Sequence, residues 1–326
     1  MAKTVLLGGS GFIGTRLINM LKERGRYELS NVDIAPSKAH PEITKTGDVR
    51  RFFDMLEALQ EADTVILLAA QHRDNVRPVS RYFETNVDGM RTVLKAMSQQ
   101  NVRRIIFFSS VAVYGLNKPN PDENATPDPA NEYGRSKWQA EKLLKQWHSR
   151  HPERQVVIIR PTVIFGEDNR GNVYNLLRQI QSGHFLMVGR GTNLKSMAYV
   201  GNVAAFVAHL MEKDEKGYHI YNYADKPDYD MNGLVSLVSD TLGKHIPATH
   251  FPFWLGMLGG HFFDALSFIT RRRFTISAQR VRKFCATTQF SAKRAFATGF
   301  QPPYPITEAL QKTLRYEFGS QGHYSK

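Results

Sequence analysis

Apolar residues recur along this chain in two rhythms. Short, nearly continuous apolar runs alternate with longer stretches in which apolar positions return every three or four residues. The first pattern marks strands buried on both faces, the second amphipathic helices. Residues 3–7 (KTVLL) read as a first strand, and 15–21 (TRLINML) carry helical spacing. Strands are expected over 28–33, 63–70, 104–110 and 155–160. Helices are expected from near residue 51, over 79–100 and over 133–150. This strand–helix alternation predicts an α/β fold with a doubly wound parallel sheet. Past Gly166 the alternation gives way to longer loops and more aromatic residues. We therefore divide the chain into 1–166 and a smaller, mixed α/β domain over 167–326. The second part carries helical patterns at 172–182, 202–211, 231–242 and 308–318. Short strands at 196–200 and 218–223 can return to the main sheet.

Between the first strand and the first helix lies GGSGFIG, with Gly8, Gly11 and Gly14 in G-x-x-G-x-x-G spacing. A strand, a glycine turn and a helix make an anion cradle. Gly8 permits the turn, Gly11 leaves room for a pyrophosphate, and Gly14 lets helix and strand pack closely. Open N–H groups and the positive end of the helix dipole then face the anion. Gly8, Ser10, Gly11, Phe12, Ile13 and Gly14 are the candidate cradle. Asp33 closes the second strand about twenty residues on, where a carboxylate can hold ribose hydroxyls and repel the extra phosphate of NADP. The cofactor reading is therefore NAD. Asp48 and Val49 follow; Asp48 can accept from an adenine amine or cap the next helix. Ala69 and Ala70 end the third strand with side chains small enough for a cofactor to approach.

A second constellation follows. Ser110 stands at a strand's C-terminal end, the ligand-binding edge of open α/β sheets. Residues 118–129 read as a loop over that edge. Tyr133 and Lys137 then lie four apart, on one face of a helix. A neighbouring ammonium favours phenolate, so the pair can form a base usable near neutrality.

Composition adds limits. The 326 residues contain one cysteine, Cys285, which excludes an internal disulfide and fits a reducing compartment. The first strand is too short and glycine-broken for a signal peptide, and no apolar run is long enough to span a bilayer. Cysteine and histidine spacing offers no metal site. The formal net charge is +13, with a dense basic patch at Arg271, Arg272 and Arg273. No nucleic-acid-binding signature accompanies it. The stretch 251–270 is aromatic and apolar, broken only by His261 and Asp264. It reads either as a helix packed over a substrate pocket or as an interfacial helix whose basic flank meets anionic lipid.

Taken in order, these motifs resemble the extended short-chain dehydrogenase/reductase family, in its nucleotide-sugar epimerase/dehydratase branch. The resemblance runs from the glycine turn, Asp33 and GDV at 47–49 through LAA at 68–70, Asn86 with Gly89, and SSVAVYG at 109–115. It continues through Tyr133 and Lys137, Arg160–Pro161, MAYV at 197–200 and GFQP at 299–302, nearly the whole chain. It implies a Rossmann domain holding NAD over 1–166, with the domain over 167–326 closing on a sugar nucleotide. Asn86 and Pro161 would join the cofactor set, Pro161 beside the nicotinamide. Ser110, Tyr133 and Lys137 would be the catalytic trio. Tyr133 would take the sugar hydroxyl proton, Lys137 would hold the nicotinamide ribose and lower the tyrosine's pKa, and Ser110 would bind the reacting oxygen. Val111 and Ala112 stand where sugar dehydratases resemble an acidic pair, so the pattern is similar to UDP-hexose 4-epimerases acting on UDP-glucose/galactose or the N-acetylated pair, in polysaccharide biosynthesis. The branch's acid after Tyr-Val is Asn202 here, and its arginine before that strand is Lys195 or absent. By order, Asn172 and Arg280 are the candidates for the substrate diphosphate, and Thr287 and Thr288 lie where the family gates the sugar's C2 substituent. A homodimer through helices 79–100 and 133–150, and a cytoplasmic place, peripheral at the inner membrane surface, are further implications. The alternative activity is net reduction or oxidation of a 4-keto sugar nucleotide or a hydrophobic alcohol such as a sterol.

Overall fold

The computed structural model describes residues 1–73, 76–116, 118–183, 185–213, 216–247, 249–270 and 278–319. The chain divides into two compact units. One comprises Met1–Ile164, Ala198–Ala224 and Phe290–Tyr304; the other comprises Phe165–Met197, Asp225–Gln289 and the residues from Pro305 onward.

In the first unit the alternating pattern becomes β1 (Ala2–Leu7), α1 (Phe12–Arg24), β2 (Tyr27–Asp33), β3 (Thr44–Thr46), α2 (Phe52–Ala58) and β4 (Thr64–Leu67). It continues as α3 (Ser80–Phe83), α4 (Gly89–Gln99), β5 (Arg104–Phe108), α5 (Glu132–Arg150) and β6 (Gln155–Pro161). A helix at Val200–Glu212 and a strand at Gly217–Tyr223 complete the layers. The sheet order is Gly217–Tyr223, β6, β5, β4, β1, β2, β3, with every pair parallel. The order reverses between β1 and β4, the switch point at which such sheets bind ligands.

Alternate strand residues supply two separate cores. Val5, Leu7, Val65, Leu67, Ile105, Phe107, Val156 and Ile158 pack with Met55, Val93, Met97, Ala140 and Leu144 of α2, α4 and α5. Leu6, Ile66, Ile106, Phe108, Val157 and Ile159 pack with Leu17, Ile18 and Leu21 of α1 and with Val203, Phe206 and Val207. Both faces being covered is why these strands read as continuous apolar runs.

Three elements differ from their sequence patterns. The strand expected over 63–70 stops at Leu67, because the N–H groups of Leu68 and Ala69 both turn to the Leu7 carbonyl, at 2.8 Å each. The helix expected over 79–100 is broken by a π-helical turn, Glu84–Asp88, between α3 and α4. The strand expected over 104–110 ends at Phe108, with the Ser109 N–H bonded to the Ile159 carbonyl. The strand expected over 218–223 does join the main sheet, as the edge beside β6, whereas the one expected over 196–200 is Met197–Tyr199, which pairs with Val163–Phe165 outside that sheet and passes into a helix at Val200.

The second unit is mainly helical: Asn172–Gln181, Met231–Leu242, Phe253–Thr270, Ala278–Cys285 and Ile306–Phe318. Leu194–Lys195 pairs antiparallel with Tyr229–Asp230, and Met187–Val188 pairs parallel with His250–Phe251. Among the described residues no helix is long and apolar enough to cross a membrane.

Candidate active site

At the switch point the glycines fall into two kinds. Gly8 has φ +89°, and a Cβ there would sit 2.4 Å from the Ala69 nitrogen. A Cβ at Gly14 would sit 2.4 Å from the Cα of Gly9. These two let β1, β4 and α1 converge. Gly11 differs: a Cβ there would meet nothing nearer than the Gly8 carbonyl oxygen, 4.0 Å away. Its side is open space, directly before the first turn of α1, and no side chain caps that helix. Backbone N–H groups facing open space at a helix N-terminus suit a phosphate.

Asn31, which the sequence reading missed, fixes the turn from beneath. It is fully buried, accepts from the Gly9 N–H at 2.8 Å, and donates to Ser10 Oγ and Thr44 Oγ1 at 3.1 and 3.0 Å. Asp33 holds the turn from the side, accepting from the Ser10 and Ala35 N–H groups at 3.0 Å each. Asp48 neither caps α2, whose N-cap is Arg51, nor stands free. It accepts from the Arg50 backbone N–H at 2.9 Å and from that guanidinium, whose hydrogen bonds hold its carboxyl below the usual range. Val49 is buried beneath it, and Ala69 and Ala70 are half-buried.

The π-helical turn explains Asn86. Its side chain reaches back to the loop after β4, accepting from the Gln71 N–H at 2.8 Å and donating to the Gln71 carbonyl at 3.1 Å. It also donates to Ser136 Oγ at 2.8 Å, and Ser136 donates to the Tyr133 carbonyl at 2.8 Å. Asn86 thus ties the edge of β4 to the turn of α5 that bears Tyr133. Tyr133 itself is half-buried, its ring 6.4 Å from that of Tyr82, and Asn131 caps the helix by accepting from the Gly134 N–H. Lys137, one turn further, is 2% exposed and donates to the Phe108 carbonyl at 2.8 Å. Burial pushes its pKa down to about 7, against the opposing charge of Glu141. Ser110 accepts from the Ala112 N–H at 3.1 Å and opens a 3-10 turn at Val111–Tyr114. Pro161 is buried at the end of β6.

Behind these groups lies a charged network the sequence reading did not find. Glu141 is fully buried and accepts from Ser109 Oγ at 2.5 Å, from Arg160 Nε at 2.9 Å and from Arg160 Nη2. Arg160, 1% exposed, also donates to the Tyr114 hydroxyl at 2.6 Å, and Tyr114 donates to Asn222 at 2.8 Å. Glu123 accepts from the Asn222 N–H at 2.7 Å, which anchors the loop expected over 118–129. Ser109 and Tyr114 bracket Ser110, and Glu141 is one turn beyond Lys137. The network therefore fixes the backbone on both sides of the candidate serine and the helix bearing the candidate lysine.

Of the two candidates in the second unit, Asn172 is exposed in the first turn of its helix. Arg280 belongs to Ala278–Cys285, but its side chain lies outside the described residues, as do Arg271, Arg272 and Arg273. Among the described residues no cluster of histidine, cysteine or carboxylates can hold a metal.

A family model described as the NAD dependent epimerase/dehydratase family matches residues 4–224. The chain belongs to that family. Over 315 residues it is 54% identical to the N-acetyl-alpha-D-glucosaminyl-diphospho-ditrans,octacis-undecaprenol 4-epimerase of Escherichia coli O157:H7, covering 96% of this chain and 95% of the relative. It is 26% identical over 328 residues to the UDP-glucose 4-epimerase of Vibrio cholerae, covering 97% and 95%. Among solved structures, MoeE5 in complex with UDP-glucose and NAD matches with a TM-score of 0.76 and 23% identity, covering 96% of this chain and 98% of that one. The last match shows the shared fold.

This member of the family is an NAD-dependent epimerase. Its glycine turn fits the cofactor: the space at Gly11 is open while the positions of Gly8, Gly9 and Gly14 are filled by protein atoms. A carboxylate at the end of β2 suits the two free hydroxyls of an NAD ribose. Of Asn31, Glu141 and Arg160, Arg160 left a trace in the sequence, as the one charged residue in the apolar run at 155–160; Asn31 and Glu141 stand among other polar residues.

Proposed function

We propose that the protein inverts C4 of an N-acetylglucosamine carried on a diphosphate, and that the carrier is a polyprenyl chain. The observation that carries this reading is the 54% identity to the E. coli O157:H7 enzyme along nearly the whole of both chains. When bound, NAD supplies a hydride acceptor at C4 and returns the same hydride, so the reaction is a net isomerisation. Gly8, Ser10, Gly11, Phe12, Ile13 and Gly14 would hold its pyrophosphate, Asp33 its ribose, and Asp48, Val49, Ala69, Ala70, Asn86 and Pro161 the rest. Tyr133 removes the proton from the C4 hydroxyl and later gives it back. Lys137 exchanges the Phe108 carbonyl for the nicotinamide ribose, and its ammonium favours the tyrosinate. Ser110 donates to the same oxygen. Val111 and Ala112 present no acid to expel water, which keeps the chemistry to inversion. Asn172 and Arg280 are proposed for the substrate diphosphate. A homodimer through α3, α4 and α5 and a peripheral contact with anionic membrane belong to the same proposal.

A UDP carrier is the second reading, favoured by the fold match to MoeE5 with UDP-glucose bound. The experiment offers polyprenyl-diphosphate N-acetylglucosamine and UDP-N-acetylglucosamine to the purified protein without added cofactor, and follows the C4 epimers by NMR. Preferential turnover of the lipid-linked sugar supports the first reading, and turnover of the UDP-sugar alone supports the second. Tyr133→Phe should abolish turnover while the protein keeps its NAD. An active Tyr133→Phe refutes the mechanism, and turnover requiring added NAD(P)H would mark a reductase.

A further inference from the structure

The helix Phe253–Thr270 turns a row of large apolar residues outward. Trp254, Leu258 and Phe262, spaced four apart on one face, are 66%, 61% and 63% exposed. Phe253 and Leu255 beside them are exposed as well. The side that packs within the second unit carries Gly256 and Gly260 beside the half-buried Met257, Phe263 and Leu266. Gly260 is buried, and a Cβ at Gly256 would sit 2.5 Å from a methyl carbon of Val188. Single exposed apolar residues are ordinary on a protein surface, but a row of large ones marks a contact surface.

Charge says what that contact is. The helix carries one acid, Asp264, and its carboxylate is engaged, accepting from the Ala278 N–H at 3.0 Å. Three consecutive arginines, Arg271, Arg272 and Arg273, follow the helix in sequence, and Arg282 is exposed on the helix packed against it. An apolar face with a cationic flank is the pattern of a helix lying in the plane of an anionic lipid surface. Its 18 residues would run about 27 Å along that surface.

We infer that the outward face of Phe253–Thr270, centred on Trp254, Leu258 and Phe262, docks the protein on an anionic bilayer. The inference deepens the polyprenyl-carrier reading and rests on it for its purpose, since a sugar on a polyprenyl chain is held at the membrane surface. Its evidence is independent, being the exposed row and the charge beside it.

The test is co-sedimentation of the full-length protein with vesicles of phosphatidylcholine containing one-third phosphatidylglycerol, against vesicles of phosphatidylcholine alone. No substrate is present, so the result does not depend on which sugar carrier the enzyme accepts. The parent protein is expected to pellet with the anionic vesicles and to be released as salt is raised. The variant Trp254→Glu, Leu258→Glu, Phe262→Glu changes only exposed positions. It should bind on the order of a hundredfold more weakly, with its unfolding midpoint and bound NAD unchanged. A parent that stays in the supernatant, or a folded variant that pellets as well as the parent, overturns the inference. So does a parent that self-associates in analytical ultracentrifugation through this face while ignoring vesicles. Vesicle binding without turnover of the lipid-linked sugar would remove the substrate reading and leave the docking surface standing.

Discussion

Replacing Glu141 by glutamine tests the buried network at its centre. The change keeps the side chain's shape but removes its charge, and presents an amide NH2 group where one carboxylate oxygen now accepts. Glu141 accepts two bonds from Arg160 and one from Ser109, with no water at hand, since Glu141 is 0% and Arg160 1% exposed. A hydrogen bond to a charged group contributes about 1.5–3 kcal/mol. Stranding one partner of a buried pair costs about 3–5 kcal/mol, because the remaining charge has lost both water and counter-ion. Glu141→Gln should therefore lose about 3–5 kcal/mol in urea denaturation. Ser109→Ala, which removes a single bond, should lose about 1 kcal/mol.

The cycle with Arg160→Met decides whether the pair is the cause. If the cost of Glu141→Gln is the stranded guanidinium, removing that guanidinium relieves it. The double variant should then be more stable than the sum of the two singles by at least about 2 kcal/mol. Because Ser109 and Tyr114 flank Ser110, turnover should fall in the single variant even at urea concentrations where the protein remains folded. A loss below about 1 kcal/mol for Glu141→Gln, or simple additivity in the double variant, would refute the reasoning.

Two further outcomes are expected. Gly11→Ala adds a methyl group to open space, so the fold should survive with a stability change within about 1 kcal/mol while NAD affinity falls at least about tenfold; Gly8→Ala, strained at φ +89° and in collision with Ala69, should instead lose more than about 2 kcal/mol. Unfolding and NAD titration measure the two separately. Lys137 has a folded pKa of about 7 against an ordinary 10.5, so between those values the unfolded chain binds a proton that the folded one does not. Its contribution to stability is full above the higher value and is lost as pH falls toward the lower one. Lys137→Met should therefore gain on the parent by up to about 1.4 kcal/mol per pH unit as pH is lowered through that window, and stop gaining below about 7. A flat difference in denaturation between pH 7 and 10 would show that burial does not depress this lysine.

The chain's local grammar carried most of the first unit. Strand, glycine turn and helix are each encoded within a few residues, and two-sided burial is written into β1, β4, β5 and β6 as nearly unbroken apolar runs. Contacts that join distant elements were harder to read. Arg160 is the one charged residue in the run at 155–160, and Glu141 lies on the same helix as Tyr133 and Lys137, two turns and one turn further on. Arg160 was visible as an exception, whereas Glu141 stood among the many charges of its helix. Only the fold shows that the two meet, because β5, β6 and α5 must first pack side by side. The π-helical turn at Glu84–Asp88 was likewise hidden, since the bond that Asn86 makes from it goes to a backbone fifteen residues earlier. For residues 251–270 the sequence supplied the hydropathy and two readings of it, but not the orientation. Trp254, Leu258 and Phe262 share one helix face by spacing alone, and Gly256 and Gly260 share another. Where a helix meets its neighbour at a glycine the two can come closer than at a larger residue, and a Cβ added at Gly256 would sit only 2.5 Å from a Val188 methyl carbon. The close approach leaves the large residues facing out. What covers them is then a question of partner chemistry, and the arginines that follow in the chain point to a negatively charged surface.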